Sequence, residues 1–218
     1  MFRSALVTGG ASGIGAATVA LLEREGTEVA ALDLATGFDV GDAEAWESVG
    51  PVDFAFLNAG VATGELEIAE LSDEAYRRAL AANVDGVVFG VRRLARVMAP
   101  GSSIVATASL AGLLPMWLDP IYTLTKHAVV GFVRAAAPQL SERGIRINAL
   151  CPGFADTPIV DNALREWVAE RGVSLIVPER VAEAALVAAR SEETGQAWVV
   201  QPGREPLVYE FRGVPGPR

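Results

Sequence analysis

Short apolar runs alternate along the chain with longer segments in which apolar residues recur at helical spacing. Strands are predicted at 4–8, 28–33, 52–58, 103–107, 146–150 and 196–200. Helices are predicted at 13–24 and at 178–190. A further helical segment begins at a Ser72 cap and runs through Met98, with a joint near Asn83. A long helix begins at an Asp119 cap and ends at about Arg143, with a kink at Pro138. Because strands and helices alternate, we expect an α/β fold whose helices cover both faces of a parallel sheet.

The chain, 1–218, has the length of a single domain. Hydrophobic residues make up 51% of it, which excludes an intrinsically disordered protein. The formal net charge of −9 argues against nucleic acid or a membrane surface as partner, because both attract a basic face. The single cysteine, Cys151, excludes a disulfide-stapled secreted domain. No targeting or membrane-spanning segment is predicted, so we expect a cytoplasmic location.

A glycine-rich loop connects the first predicted strand to the first predicted helix. Gly9, Gly13 and Gly15 permit a tight turn that brings the backbone close to a pyrophosphate, and the helix N-terminus supplies free N–H groups. A purely structural turn is the alternative, but the strand–loop–helix context favours a phosphate site. Asp33 ends the second strand, where an acid accepts hydrogen bonds from ribose hydroxyls and repels a 2′-phosphate. Since the loop carries Ser12 and no basic residue, the pattern favours NAD over NADP.

A tyrosine and a lysine stand four positions apart at the start of the long predicted helix. Tyr122 and Lys126 therefore share one helical face. The ordinary pKa of tyrosine is about 10, so a tyrosine that acts as a base near neutral pH needs a neighbouring positive charge. Lys126 is the one lysine among 18 basic residues, which indicates a position where arginine cannot substitute. Ser109, at a strand end, can share a substrate oxygen with Tyr122; a turn serine and an exposed helix pair are the alternatives.

In order and spacing, these motifs resemble those of the short-chain dehydrogenase/reductase family over nearly the whole chain, to about Val200. The resemblance rests on the loop 8–15, Asn58-Ala59-Gly60, Asn83, Ser109, Tyr122 with Lys126, and Pro152-Gly153. It implies a Rossmann-type doubly wound sheet, NAD as cofactor and reversible hydride transfer between an alcohol and a carbonyl. It also implies a homodimer or a homotetramer.

The same resemblance implies roles for the matching residues. Tyr122 would be the general acid/base, and Lys126 would lower its pKa and hold the nicotinamide ribose. Ser109 would orient the substrate oxygen, and Asn83 would hold a water in a proton relay. The resemblance implies that the pyrophosphate of the cofactor contacts the loop residues Gly9, Ser12, Gly13, Ile14 and Gly15. Asp33 would contact the adenosine ribose, Asp39 and Val40 would contact the adenine, and Asn58, Ala59 and Gly60 would form the floor of the cofactor site. Pro152, Gly153 and Thr157 would flank the nicotinamide, and Tyr122 and Lys126 would contact the cofactor as well.

The chain departs from the family pattern after the second strand. Only five residues separate Asp33 from Asp39, where the family places a helix. A parallel crossover needs a dozen or more residues. We therefore predict that the second helix is missing, that the usual edge strand around Asp39 is lost or vestigial, and that about six parallel strands remain in a sheet of six to seven.

Two apolar, cation-poor segments are expected to line a substrate pocket. They are 113–118 and a lid at about 154–177, and they favour a small to medium hydrophobic alcohol or ketone. Packing on the core or on a subunit mate is the alternative. The extended tail, 201–218, carries aromatic residues that can reach a neighbouring subunit. No metal site is predicted because no His/Cys cluster has ligand spacing; His127 and Cys151 are interpreted as structural.

The leading hypothesis is therefore an NAD-dependent alcohol dehydrogenase or ketoreductase. An acyl-carrier-protein ketoreductase is disfavoured, because acidic carriers need a basic surface and such reductases usually take NADPH, which Asp33 repels. A redox sensor that binds NAD without turnover is the rival from another class. Loss of Tyr122, Lys126 or Ser109 would favour the sensor, and all three are present.

Overall fold

Seven strands form one sheet in the computed structural model, which describes residues 1–65 and 67–213. In chain order they are β1 Ser4–Thr8, β2 Glu28–Leu32, β3 Phe54–Leu57, β4 Ser103–Thr107, β5 Arg146–Pro152, β6 Ala197–Val200 and β7 Leu207–Val208. Their order across the sheet is β2-β1-β3-β4-β5-β6-β7. Neighbours from β2 to β6 run parallel, and β7 pairs with β6 in the antiparallel direction. The predicted Rossmann-type α/β sheet with six parallel strands is confirmed.

Helices cover both faces of the sheet. They are α1 Gly13–Arg24, α2 Asp73–Leu80, α3 Gly86–Val97, α4 Pro120–Ser141, α5 Asn162–Glu170 and α6 Pro178–Arg190. Successive strand residues point to opposite faces and so enter two separate cores. Leu6 and Ile104 belong to the core shared with α3 and α4, whereas Val7 and Val105 belong to the core shared with α1 and α6. Burial of each such side chain contributes roughly 1.5–3 kcal/mol, which holds the strand ends in place.

The segment between β2 and β3 is shortened as the sequence predicts. Residues 33–53, all of them described, contain two short 3₁₀ turns, Leu34–Thr36 and Ala45–Ser48, and no α-helix. The indole of Trp46 fills the adjoining core; it donates to the Val40 backbone oxygen at 2.9 Å and lies against Gly90 of α3. β2 is consequently the edge of the sheet. The missing second helix and the lost edge strand are both confirmed.

The joint predicted near Asn83 is a π-helical turn, Ala81–Asp85, between α2 and α3. Ser72 caps α2 through its side chain, as predicted. Helix α4 continues through Pro138 and ends at Ser141, so the proline does not terminate it. The interruption between α2 and α3 matters most for the site, because it buries the Asn83 side chain beneath the strand ends.

Two elements were not predicted from the sequence. The lid segment contains α5, and its two ends are joined by a parallel bridge between Ala155 and Ile176. The tail forms β7, after which Phe211 lies under the Arg134 guanidinium of α4 at 3.7 Å. Positions 214–218 of the predicted extended tail lie outside the described residues. Within the described chain, no helix combines the length and the apolar character needed to cross a membrane.

Candidate active site

The carboxyl ends of the parallel strands open into a cavity of about 680 Å³. Its walls come from the loops that follow β1, β2, β3, β4 and β5, and from the start of α4. Almost every candidate residue named from the sequence lines this cavity. The exceptions are Gly15 and Asn83, which stand behind its wall.

The glycine loop has the backbone shape of a phosphate cradle. Gly9 and Gly13 adopt positive φ angles of 67° and 52°, which other residues rarely accept. A Cβ atom on Gly15 would lie 1.9 Å from the Gly9 carbonyl oxygen, so Gly15 acts from behind the loop by letting it fold back on α1. Ser12 caps α1 without a side-chain hydrogen bond to it, and Ile14 lines the cavity. The first N–H groups of a helix have no partner within the helix, so α1 offers them to an anion.

Asp33 is tied to the glycine loop. Its carboxylate accepts a hydrogen bond from Ala11 N at 3.0 Å and another from Ala35 N at 2.9 Å. Each carboxylate oxygen keeps a free lone pair for a further donor. The acid therefore stands at the cavity wall in a fixed orientation, beside the cradle, where it can bind a pair of sugar hydroxyls.

The adenine pair predicted from the sequence reaches the cavity even though the second helix is missing. Asp39 accepts from Gly41 N at 2.8 Å, and Val40 is buried against Gly86. Leu34 and Phe38 line the same end of the cavity and were not predicted. Their signal in the sequence was weak, because isolated apolar residues in a short loop have no periodicity.

Tyr122, Lys126 and Ser109 meet at the other end of the cavity. Tyr122 lies in the first turn of α4, where the Asp119 carboxylate accepts its backbone N–H at 2.7 Å. Lys126 is only 3% exposed, and its ammonium donates to the Thr107 backbone oxygen at 2.8 Å. The Lys126 Nζ atom lies 5.4 Å from the centre of the Tyr122 ring. These groups share one face of α4 and the end of β4.

Burial dominates the ionisation of this cluster. It raises the pKa of Tyr122 to about 12, an effect that Asp119 and Cys151 reinforce and the Ser109 hydroxyl opposes. It also lowers the pKa of Lys126 to about 8. The role that the resemblance implies for Lys126, lowering the pKa of Tyr122, stays a prediction.

Cys151 lies at the end of β5, below the site. Burial raises the pKa of its thiol to about 12, so the thiol stays protonated at neutral pH. The interpretation of Cys151 as buried and unreactive is consistent with this.

Asn83 anchors the cavity wall from behind. Its side-chain oxygen accepts from Val61 N at 2.8 Å, while its amide donates to Val61 O at 2.8 Å and to the Thr125 hydroxyl at 3.0 Å. A Cβ on Gly60 would lie 2.9 Å from the Asn83 oxygen and 3.3 Å from Lys126 Nζ, so a larger residue cannot stand there. The structure thus gives Asn83 a positioning role for the loop after β3, and its implied water relay stays a prediction.

Asn58 and Thr157 lie on the side of the cavity that holds the glycine loop. Asn58 donates to the Thr8 backbone oxygen at 3.2 Å and accepts from the Thr107 hydroxyl at 3.2 Å, so it links the ends of β1, β3 and β4. Ala59 follows it on the floor. The Thr157 methyl stands against Gly13, 3.0 Å from the position of an added Cβ. Pro152 and Gly153, at the end of β5, line the cavity between these two walls.

Apolar side chains from both predicted substrate segments enclose the end of the cavity that holds Tyr122. These side chains belong to Met116, Leu118, Phe154, Ile159, Val160 and Leu164. The segments touch through aromatic contacts: Trp167 of α5 lies 6.3 Å from Trp117 and 6.3 Å from Phe154, measured between ring centres. The prediction that both segments line the pocket therefore agrees with the geometry.

Two acids of the wall, Asp119 and Asp161, were not identified as site residues. In the sequence Asp119 has the signature of a helix cap, and it does cap α4, but it also lines the cavity. Asp161 caps α5 in the same way. His127, by contrast, is exposed and contacts only the Thr123 backbone oxygen of its own helix. Among the residues that the structure describes, no group of His, Cys, Asp and Glu is arranged to hold a metal ion.

Comparisons with known proteins agree with this architecture. A family model described as "Enoyl-(Acyl carrier protein) reductase" matches residues 42–203. The 2,5-dichloro-2,5-cyclohexadiene-1,4-diol dehydrogenase of Sphingobium indicum is 35% identical over an alignment length of 190, with coverages of 74% of this chain and 76% of that protein. The cis-4-hydroxycyclohexanecarboxylate dehydrogenase of Sinomonas cyclohexanicum is 35% identical over 216 residues, with coverages of 84% and 87%. The solved structure of a short-chain dehydrogenase/reductase SDR:Glucose/ribitol dehydrogenase from Brucella melitensis superimposes with a TM-score of 0.79 at 26% identity, covering 92% of this chain and 95% of that one.

Proposed function

Because the chain belongs to the short-chain dehydrogenase/reductase family, we propose that it is an NAD-dependent dehydrogenase that interconverts a cyclic secondary alcohol and its ketone. The observation that carries this proposal is the meeting of Tyr122, Ser109 and Lys126 in the cavity whose other end holds the glycine cradle and Asp33. By their names, two relatives at 35% identity act on six-membered rings that carry hydroxyl groups. The apolar wall around Tyr122 suits such a ring.

The cradle and Asp33 fit a nicotinamide dinucleotide. The free N–H groups of α1 would bind its pyrophosphate, and Asp33 would bind the adenosine ribose hydroxyls. When bound, the cofactor supplies the hydride acceptor in alcohol oxidation and the hydride donor in ketone reduction. Lys126, whose ammonium lies at the cavity wall, would hold the second ribose. The homodimer or homotetramer and the cytoplasmic location stay predictions.

Tyr122 and Ser109 would handle the proton. In ketone reduction, Tyr122 donates its phenolic proton to the carbonyl oxygen while Ser109 holds that oxygen in place. In alcohol oxidation, the phenolate takes the proton back. Since burial raises the pKa of Tyr122 to about 12, the phenol of the chain alone carries its proton at neutral pH and can donate it to a carbonyl oxygen. The oxidation rate should therefore rise with pH in the alkaline range.

Steady-state turnover with a panel of alcohols tests the proposal. Cyclohexanol, a cyclohexanediol, a linear secondary alcohol and a steroid alcohol would each be incubated with NAD⁺ and with NADP⁺. We expect NADH formation, with the largest kcat/KM for the six-membered rings. Binding of NADH without turnover of any alcohol or ketone would instead favour the redox sensor.

Cofactor preference provides a separate prediction. We expect kcat/KM to be at least about 100-fold higher with NAD⁺ than with NADP⁺, because the Asp33 carboxylate binds two hydroxyls and repels a 2′-phosphate. Asp33→Ser should reduce that ratio by about tenfold or more. The matched control is Asp42→Ser, which removes an exposed acid that accepts a hydrogen bond from the Glu44 backbone and does not line the cavity. An unchanged ratio in the Asp33 variant would contradict the assignment.

The acyl-carrier-protein alternative remains disfavoured. The net charge of −9 would repel an acidic carrier protein, and the Asp33 carboxylate would repel the 2′-phosphate of NADPH. The proposal therefore concerns a free small molecule.

A further inference from the structure

Acidic side chains outnumber basic ones at the wall of the cavity. Among the described lining residues, the acids are Asp33, Asp39, Asp119 and Asp161, and the single base is Lys126. The ammonium of Lys126 is buried and already donates to the Thr107 backbone oxygen. The wall around a bound substrate is thus acidic and apolar.

Asp119 is the acid nearest to the chemistry along the chain, and three donors hold it in place. One oxygen accepts from Tyr122 N at 2.7 Å, and the other accepts from the backbone N and the hydroxyl of Thr63, both at 2.8 Å. These bonds join the first turn of α4 to the loop after β3. Its carboxylate consequently has a fixed position at the backbone of Tyr122 and at the wall of the cavity.

The two arginines nearest to this acidic part of the wall bind other groups and do not line the cavity. Arg78 of α2 donates to the Thr63 backbone oxygen at 3.1 Å, and Arg165 of α5 forms an ion pair with Asp156 at 2.6 Å. Neither arginine lines the cavity. Among the described residues, no basic side chain forms an ion pair with Asp119. A negatively charged substituent on the substrate would therefore lose water and meet a carboxylate, with no arginine at the cavity wall to attract it.

We propose that Asp119 sets the charge selectivity of the site, so that neutral ring alcohols and ketones are accepted and ring carboxylates are rejected. The inference rests on the proposed function and narrows its substrate class. The two relatives illustrate both substrate types, because one is named for a neutral ring diol and the other for a ring carboxylate. The acidic wall favours a neutral substrate, as in the name of the first relative.

A matched pair of ligands tests the proposal without turnover. Cyclohexanecarboxamide and cyclohexanecarboxylate share one ring and nearly one shape, and they differ by a negative charge. Their dissociation constants would be measured by calorimetry on the full chain saturated with NADH. We expect the dissociation constant of the amide to be at least about tenfold lower than that of the carboxylate. The ratio of the two constants should decrease as salt is added, because salt screens the repulsion.

Asp119→Asn should reduce this ratio of dissociation constants by about tenfold, largely by improving binding of the carboxylate. Weaker capping of α4 would affect both ligands alike, so the ratio separates charge from damage to the fold. Asp73→Asn, in the exposed first turn of α2, changes the net charge equally and should leave the ratio unchanged.

Equal binding of the two ligands by the natural chain, an unchanged ratio in Asp119→Asn, or binding of neither ligand would overturn the inference. Failure of the proposed function would look different. In that case the ratio would persist while no ring alcohol yields NADH.

Discussion

Changing Tyr122 to phenylalanine is expected to lower kcat for ring alcohols and ketones by about a thousandfold. The substitution removes a single oxygen atom from a side chain whose ring remains packed at the cavity wall, so the shape of the site is kept. General acid/base groups contribute about 10²–10⁴ to rate, which sets the size of the effect. Formation of NADH, followed by its absorbance, measures the loss. Affinity for NADH, followed by its fluorescence, should change little.

The chain offers a matched control for this experiment. Tyr76→Phe removes the same oxygen from a tyrosine of α2 that is 37% exposed and does not line the cavity, and full activity is expected. Residual turnover in Tyr122→Phe should also lack the alkaline rise of alcohol oxidation, because the group with a pKa of about 12 is gone. A Tyr122 variant that keeps its activity would exclude the proposed mechanism.

Replacing Lys126 with methionine is expected to abolish activity and, at the same time, to stabilise the protein at neutral pH. Burial lowers the pKa of this amine from 10.5 to about 8, so keeping it charged at neutral pH costs about 3 kcal/mol. The variant loses the hydrogen bond to the Thr107 oxygen, which removes about 1 kcal/mol. The free energy of unfolding should therefore increase by about 2 kcal/mol.

The pH dependence of this gain follows from the direction of the pKa shift. Because the folded state releases the Lys126 proton before the unfolded state does, the natural chain gains stability as pH rises from about 8 to 10.5. The advantage of the variant is fully present below pH 8 and disappears above 10.5. Urea denaturation at neutral pH and in the alkaline range measures both limits.

Lys126→Arg is the control for charge, because it keeps the cation but adds a larger planar head group at a buried position. It should lose activity without gaining stability. A methionine variant that is less stable than the natural chain at neutral pH would show that the amine contributes more through its contacts than its burial costs.

The arrangement of strands and helices was predictable because, in most segments, the spacing of apolar residues is typical of either a strand or a helix. The helix Gly13–Arg24, with Gly26 just beyond its C-terminus, and the apolar run of β4 were predicted with their observed bounds. The missing second helix could also be foreseen, since five residues cannot form a parallel crossover. The helix α5 was missed because its apolar positions were interpreted only as a lid, and β7 because two residues carry no period.

The residues that line the cavity were predictable where the residue type itself restricts the possible chemistry. A glycine-rich loop between a strand and a helix, a lone lysine four positions after a tyrosine, and an acid at a strand end each have few explanations. Asp119 was recognised as a cap, but its contact with Thr63 depends on a loop 56 residues away. The direction of the Tyr122 pKa shift could not be foreseen either, because it depends on how deeply the ring is buried.

The short connection after β2 leaves Asp33 at an exposed rim of the site, whereas Asn83 and Lys126 are buried in the core. Asp33 stands at the edge of the sheet and is followed by a turn in which Leu34 is 73% exposed. Asn83 and Lys126 are enclosed by neighbours on every side. A lineage can therefore exchange one cofactor for another through substitutions at this rim, since they disturb no core packing. A substitution at Asn83 or Lys126 would instead leave a void or a clash inside the packed core. We therefore expect cofactor preference to be more evolvable in this fold than its tyrosine–lysine pair.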